Sequence, residues 1–314
     1  MKMKTFLKSL SLLVTILFLG ACAVATASPQ AAEVAAPAAA AATYTPRAVA
    51  EVTSTPLPIS IPQVSTQFTS ILNPGAWTKE IIGSSSLDGG YVVDITPLNP
   101  ADPGSYVEQK IIPEFDGEQW KDVLWMSLSV ATKPIKVRVQ VFSTMDWPIA
   151  FDGLLALNPG ELHDFVIGDA TLNGGYAVEI DPLEAGISGD TFEQALVLPK
   201  FSGDWYDVLR IQIPASQSAL SVNARVYRTP DDLPVQAEFT VHLKPDDWVG
   251  FVLGDSNDRC AFIMEVTPLV DEDNQIIFRV QQEYDGKGWK DIARLEVPFE
   301  FPATDVLLRI YSIR

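Results

Sequence analysis

The chain repeats itself three times at a spacing of about 85 residues, and any fold it adopts has to accommodate that period. "LDGGYVVDITPL" at 87–98 returns as "LNGGYAVEIDPL" at 172–183, identical at eight of twelve positions, and more distantly as "DRCAFIMEVTPL" at 258–269. Leu72-Asn73-Pro74-Gly75 returns as Leu157-Asn158-Pro159-Gly160 and, degraded, as Leu243-Lys244-Pro245-Asp246. "FDGEQWKDVL" (115–124) becomes "FSGDWYDVL" (201–209) and then "YDGKGWKDIA" (284–293). These echoes place three units at 67–144, 145–229 and 230–314.

Within a unit the hydrophobic period is two. Tyr91, Val93 and Ile95 share one face of an extended segment, while Val92, Asp94 and Thr96 share the other. Tyr176, Val178 and Ile180 stand against Ala177, Glu179 and Asp181, and Phe262, Met264 and Val266 against Ile263, Glu265 and Thr267. One face is apolar in every copy and the other always carries an acid, the alternation of a strand buried on one side only. The segments ending each unit, around Val137–Val141, Val222–Val226 and Val306–Ile310, alternate in the same way. Five or six such runs fit in each unit, and no amphipathic helix of useful length interrupts them. The expected fold is all-β: three tandem antiparallel sandwiches or jelly rolls. Sandwiches abutted in a row is the most economical arrangement, and one closed assembly sharing strands is the alternative.

Asp88-Gly89 and Asn173-Gly174 are dipeptides suited to the positive φ of a tight turn, so the glycine pair reads as a hairpin leading into a strand. A phosphate cradle is the competing use of such glycines, but it needs a helix after them and here a strand follows. Copy three lacks the glycines, so its turn must take another form.

The three copies separate scaffold from specialisation. Trp120, Trp205 and Trp289 occupy equivalent places and are assigned to cores. Trp77 and Trp248 match Leu162, and Trp147 matches Leu233, so these are expected to be buried too. Trp125 stands where the other copies have Arg210 and Arg294, and is the one candidate for an exposed aromatic ligand contact. The recurring acids form two sets: Asp94, Glu179 and Glu265, then Asp122, Asp207 and Asp291. Their spacing matches no calcium loop, so pairing with Arg225, Arg309, Arg210 and Arg294 is preferred to a metal.

Nothing in the chain forms a catalytic constellation. His163 and His242 fall at non-equivalent places, and no nucleophile elbow, zinc motif or phosphate loop appears. Cys260, flanked by "AFIM", reads as a buried inert thiol. The expectation is a non-catalytic protein without metal or cofactor.

The first 22 residues, "MKMKTFLKSLSLLVTILFLGAC", combine Lys2, Lys4 and Lys8 with an apolar run and small residues before a cysteine, the layout of a secretory signal. Leu19-Gly20-Ala21-Cys22 resembles the lipobox of bacterial lipoproteins, which implies that Cys22 is acylated and becomes the mature N-terminus. Residues 23–66, rich in Ala, Pro and Thr, bury too little apolar surface to order themselves and read as a disordered tether. Such a tether reaches on the order of 35–40 Å. Loss of the three leader lysines takes the formal charge from −18 to −21, which argues against nucleic acid or an anionic membrane surface as partner. The expected partners are a membrane through the Cys22 anchor and an extracellular glycan or envelope protein, with the body in the bacterial cell envelope on its outer or periplasmic side. Carbohydrate binding is favoured slightly by the seven tryptophans, and an assembly role binding partner proteins is the alternative.

Overall fold

The computed structural model describes residues 64–86, 89–170, 174–256, 260–271 and 274–313, so Cys22, most of the tether and the turn residues Asp88 and Asn173 lie outside the described residues. The described residues form an all-β body. Unit one contains β1 (Val64–Leu72), β2 (Trp77–Ser84), β3 (Tyr91–Pro97), β4 (Tyr106–Phe115), β5 (Trp120–Ser129) and β6 (Ile135–Ser143). Unit two contains β7 (Ile149–Leu157), β8 (Leu162–Asp169), β9 (Tyr176–Pro182), β10 (Gln194–Phe201), β11 (Trp205–Gln212) and β12 (Leu220–Arg228). Unit three contains β13 (Val235–Leu243), β14 (Val249–Asp255), β15 (Ala261–Pro268), β16 (Ile277–Tyr284), β17 (Trp289–Glu296) and β18 (Thr304–Ile313). β1 begins at Val64, so the sheet takes in the last three residues that composition assigns to the tether.

Each unit is a sandwich of two antiparallel layers. One layer has the order β1-β6-β3, repeated as β7-β12-β9 and β13-β18-β15. The other has β2-β5-β4 and its equivalents, and in units one and three these join through β4 and β16 into one six-stranded sheet. The join is short, only Gln282 opposite Val107 and Glu283 opposite Tyr106. Because β2 pairs with β5 while β3 pairs with β6, the glycine pair between β2 and β3 is a crossover between layers and not a hairpin. Gly89 (φ 115) and Gly174 (φ 96) do hold the left-handed backbone. A Cβ on Gly89 would lie 2.6 Å from the Met145 nitrogen, and one on Gly174 2.3 Å from Thr229 Oγ1. Cys260, at the same place in copy three, has no positive φ, so that crossover is built differently.

The units do not stand in a row. They close head to tail into a ring, and equivalent residues make each of the three joints. The indole nitrogens of Trp120, Trp205 and Trp289 donate to the carbonyls of Glu184, Val270 and Asn99 at 2.8, 2.7 and 2.7 Å. Each acceptor lies two residues beyond the Pro of the next unit's "PL" (Pro182, Pro268, Pro97). The backbone N–H groups of Phe115, Phe201 and Tyr284 donate in the same cyclic order, to Asp190, Asn274 and Ser105. Packing follows the bonds: Trp120 sits in the core of unit two, Trp205 in that of unit three, and Trp289 in that of unit one. Every core is therefore completed by the unit before it. Closure removes apolar edges that a linear array would leave exposed at its ends.

A separate apolar cluster lies where the units meet, holding Val92 and Phe142 from unit one with Trp147, Ala177 and Tyr227 from unit two. Leu233, Ala261, Ile263, Tyr311 and Ile313 add the third unit. Val92, Ala177 and Ile263 belong to the acid-bearing face of β3, β9 and β15. That face is buried against neighbouring units, so these strands are covered on both sides, contrary to the half-buried reading.

Candidate functional site

Burying the acid-bearing face brings the recurring carboxylates into the joints. Asp94, Glu179 and Glu265 are each at most 4 % exposed. Glu179 Oε1 accepts the N–H of Gly89 at 2.9 Å and its Oε2 the hydroxyl of Tyr227 at 2.8 Å. Glu265 repeats this with Gly174 at 3.0 Å and Tyr311 at 2.6 Å. The crossover glycines of one unit thus cap an acid of the next, and a buried carboxylate without such donors would be costly. Unit one departs from the pattern in two coordinated ways: its acid is the shorter Asp94, and Phe142 stands where the others have tyrosine. Asp94 accepts a 3.4 Å bond from Thr96, and burial pushes its pKa up to about 6 against the opposing charge of Arg138.

The donors seen on the second set of acids are hydroxyls and an amide, where arginines were expected. Asp207 accepts the Tyr176 hydroxyl at 2.7 Å, Asp122 that of Ser85 at 2.9 Å, and Asp291 takes Ser256 and the Gln282 amide, both at 3.0 Å. Burial pushes the Asp207 pKa up to about 7; the Tyr176 bond opposes this, and the charges of Glu265 and Asp169 add to it. Arg210 instead grips Asp164 with two bonds of 2.7 and 2.8 Å, and Arg294 pairs with Glu283. Of the first set, Glu265 lies 3.9 Å from Arg309, as the notion of structural ion pairs expects. Among the described residues no group of His, Cys, Asp and Glu has the arrangement of a metal site.

Trp125 is half-buried and its ring is not presented as a free platform. Lys79 Nζ lies 3.9 Å from its centroid, Lys110 Nζ 5.1 Å, and Trp77 meets it edge-on at 6.0 Å. The equivalent trios explain this. Lys79, Glu114 and Trp125 occupy the places of Asp164, Lys200 and Arg210 and of Gly250, Glu283 and Arg294. In unit one Lys79 binds Glu114 at 3.0 Å and covers the indole; in unit two Asp164 binds Lys200 at 2.7 Å and Arg210. In unit three Arg294 lies over Gly250, where a Cβ would come within 2.8 Å of its guanidinium. Trp125 therefore takes the place of a guanidinium in a cross-strand cluster. Changing Trp125 to Arg alone should place a third cation between Lys79 and Lys110 and cost about 1–3 kcal/mol, while adding Lys79→Asp and Glu114→Lys recovers most of it. Urea midpoints of the single and triple variants check this.

Trp147 and Leu233 are buried, as expected, but Trp77 is 45 % exposed and Leu162 48 %. Trp248 is half-buried with the Arg279 guanidinium 4.7 Å from its centroid. That position is a surface site whose aromatic is covered by a cation. His163 accepts the Asn158 N–H at 2.9 Å and His242 contacts Asp305, two unrelated structural roles. Cys260 is buried.

The feature that sequence reasoning missed is a cavity of about 290 Å³ where the three units converge. The ladder between β4 and β16 is only two residues long, and isolated bridges tie Glu114 of β4 to Thr191 before β10 and Lys200 of β10 to Gln275 before β16. The three strands then splay, and the space between them is floored by β3, β9 and β15. Tyr91, Tyr176 and Phe262 contribute aromatic side chains at equivalent places, and most of the remaining wall is aliphatic. No family model, curated protein or solved structure matches this chain.

Proposed function

We propose that this is a non-catalytic, lipid-anchored binding protein of the bacterial cell envelope, tethered through Cys22, which takes a small ligand in the axial cavity. The cavity carries the reading. It is concave, mostly apolar and bounded by all three units, the character of small-molecule sites. Its wall also breaks the repeat: Gln109, Ala195 and Phe278 are equivalent, as are Lys110, Leu196 and Arg279. The indoles that bridge the joints, Trp120, Trp205 and Trp289, by contrast recur in every copy, as scaffold should. The tryptophans that suggested a carbohydrate lie in joints or beneath cations, so the support for a sugar is reduced to the exposed part of Trp77.

Native mass spectrometry of full-length protein taken gently from its membrane is expected to show a bound small molecule. Ala195→Phe, which copies Phe278 of unit three into the wall, should displace it. Retention of the molecule by that variant would move the site elsewhere, and a positive glycan array would restore the sugar reading. The anchor has its own check: Cys22→Ser is expected to block leader processing and labelling by a radioactive fatty acid.

A second reading, assembly with envelope proteins, is favoured by one observation. Ile81, Val166 and Val252 occupy the same place on the edge strands β2, β8 and β14 and are 62, 58 and 64 % exposed. A bulge follows each of them, which disfavours simple strand addition and leaves side-chain docking. A stoichiometric protein recovered by cross-linking, and lost on changing these three residues to Lys, would decide for it.

A further inference from the structure

We infer that the ligand of the axial cavity is a small apolar molecule bearing one acidic group, with Lys110 and Arg279 as its countercharges. This rests on the cavity being the binding site and adds the chemical class of what it holds.

Twenty residues line the cavity, and the two charged ones are both cations, in a chain whose formal charge is −18. They occupy equivalent places on β4 and β16, and the third equivalent place, on β10, is Leu196. The axis thus has two cationic sides and one aliphatic side. A threefold scaffold left to itself would repeat one residue type there. Lys110 donates to the Glu193 carbonyl at 3.2 Å, and its indole contacts are longer, so no carboxylate is shown at bonding distance from its ammonium. Burial draws its pKa below the ordinary lysine value; Glu193 opposes this and Lys79 adds to it. An ammonium in that setting gains from an anion brought by a ligand. Arg279 holds Glu108 at 3.0 Å and rests on Trp248, which fixes the guanidinium and leaves further N–H donors for an acid.

Gln109 is a polar uncharged residue of the wall. Its Oε1 is buried without a hydrogen bond, and the residue lines the cavity between the two cations' strands. The rest of the wall is ill matched to a polyol: Val92, Val178, Val197, Phe278 and Val280 offer no donors from their side chains. The volume is roughly twice that of the ~150 Å³ apolar cavity that takes a benzene ring, so one ring with a short chain, or a chain of similar bulk, fits.

The test uses full-length protein in lipid nanodiscs and three probes sharing one tail: 3-phenylpropanoate, 3-phenylpropan-1-ol and 3-phenylpropylamine. Calorimetric titration is expected to show the acid binding at least tenfold more tightly than the alcohol, and the amine weakest. Lys110→Met with Arg279→Met should lower affinity for the acid at least tenfold and leave that for the alcohol within about threefold. Ala195→Phe should abolish binding of all three, with near-UV circular dichroism confirming that each variant is folded. Equal affinity for acid and alcohol, or an acid preference that survives the double methionine variant, overturns the acidic ligand while leaving the cavity as the site. Acid binding that persists in Ala195→Phe overturns the cavity itself. Failure of all three probes to bind overturns the assignment of ligand class, and the molecule found by native mass spectrometry then replaces it.

Discussion

Trp205→Ala is expected to lower the stability of the whole ring by about 3–5 kcal/mol, a large part of the 5–15 kcal/mol typical of a folded domain. Trp205 is 5 % exposed, packs edge-on against Phe201 at 5.6 Å and donates to Val270 at 2.7 Å. Alanine removes the indole volume and leaves a carbonyl without its donor. Trp205 belongs to unit two by sequence but completes the core of unit three, so the damage should appear in both. Hydrogen exchange is therefore expected to accelerate in β15 and β18 as well as in β11. Acceleration confined to β10 and β11 would contradict the interlocked cores. Trp205→Phe, which keeps most of the volume and loses the bond, should cost less, about 1–2 kcal/mol. Trp120 and Trp289 should behave alike, since the closure treats the three joints equivalently.

The second large effect is on pH dependence. Burial pushes the pKa of Asp207 up to about 7 and that of Asp94 up to about 6. In the unfolded chain both carboxyls titrate near their ordinary value, about 4. Between those limits the folded state binds more protons, so stability falls as pH rises from about 4 to 7 and is level above that. Asp207→Asn keeps an acceptor for Tyr176 and carries no charge. It is expected to match the parent at pH 4 and to exceed it at pH 8 by on the order of 2–4 kcal/mol. Thermal melts of the two proteins across that range measure the difference. A constant offset at all pH values would mean that the Asp207 carboxylate is not what acidification relieves.

How much of the site was legible beforehand differs from residue to residue. Trp120, Trp205 and Trp289 were readable as core because they recur, yet their indoles complete a different unit from the one that encodes them. Asp94, Glu179 and Glu265 were readable as structural, but the donors to the two glutamates are glycine amides some 90 residues away, Gly89 for Glu179 and Gly174 for Glu265. Lys110, Leu196 and Arg279 gave no signal as a set: each lies mid-strand, and a lone cation on a strand usually faces water. Trp125 drew attention because it differs from its counterparts, and the structure accounts for the difference by Lys79 taking the opposite charge from Asp164.

Sequence by itself determined that there are three copies, that each is built of alternating strands, and that the body is all-β. Those properties are local: a period of two and its turn residues decide which side chains share a face. It also marked that the second face of β3, β9 and β15 carries an acid every time. What covers that face was decided only by tertiary structure, because covering it depends on how three similar sandwiches dock. Docking closed the ring, turned the glycine pair from a hairpin into a crossover that caps the next unit's acid, and left between β4, β10 and β16 a cavity that no single copy contains.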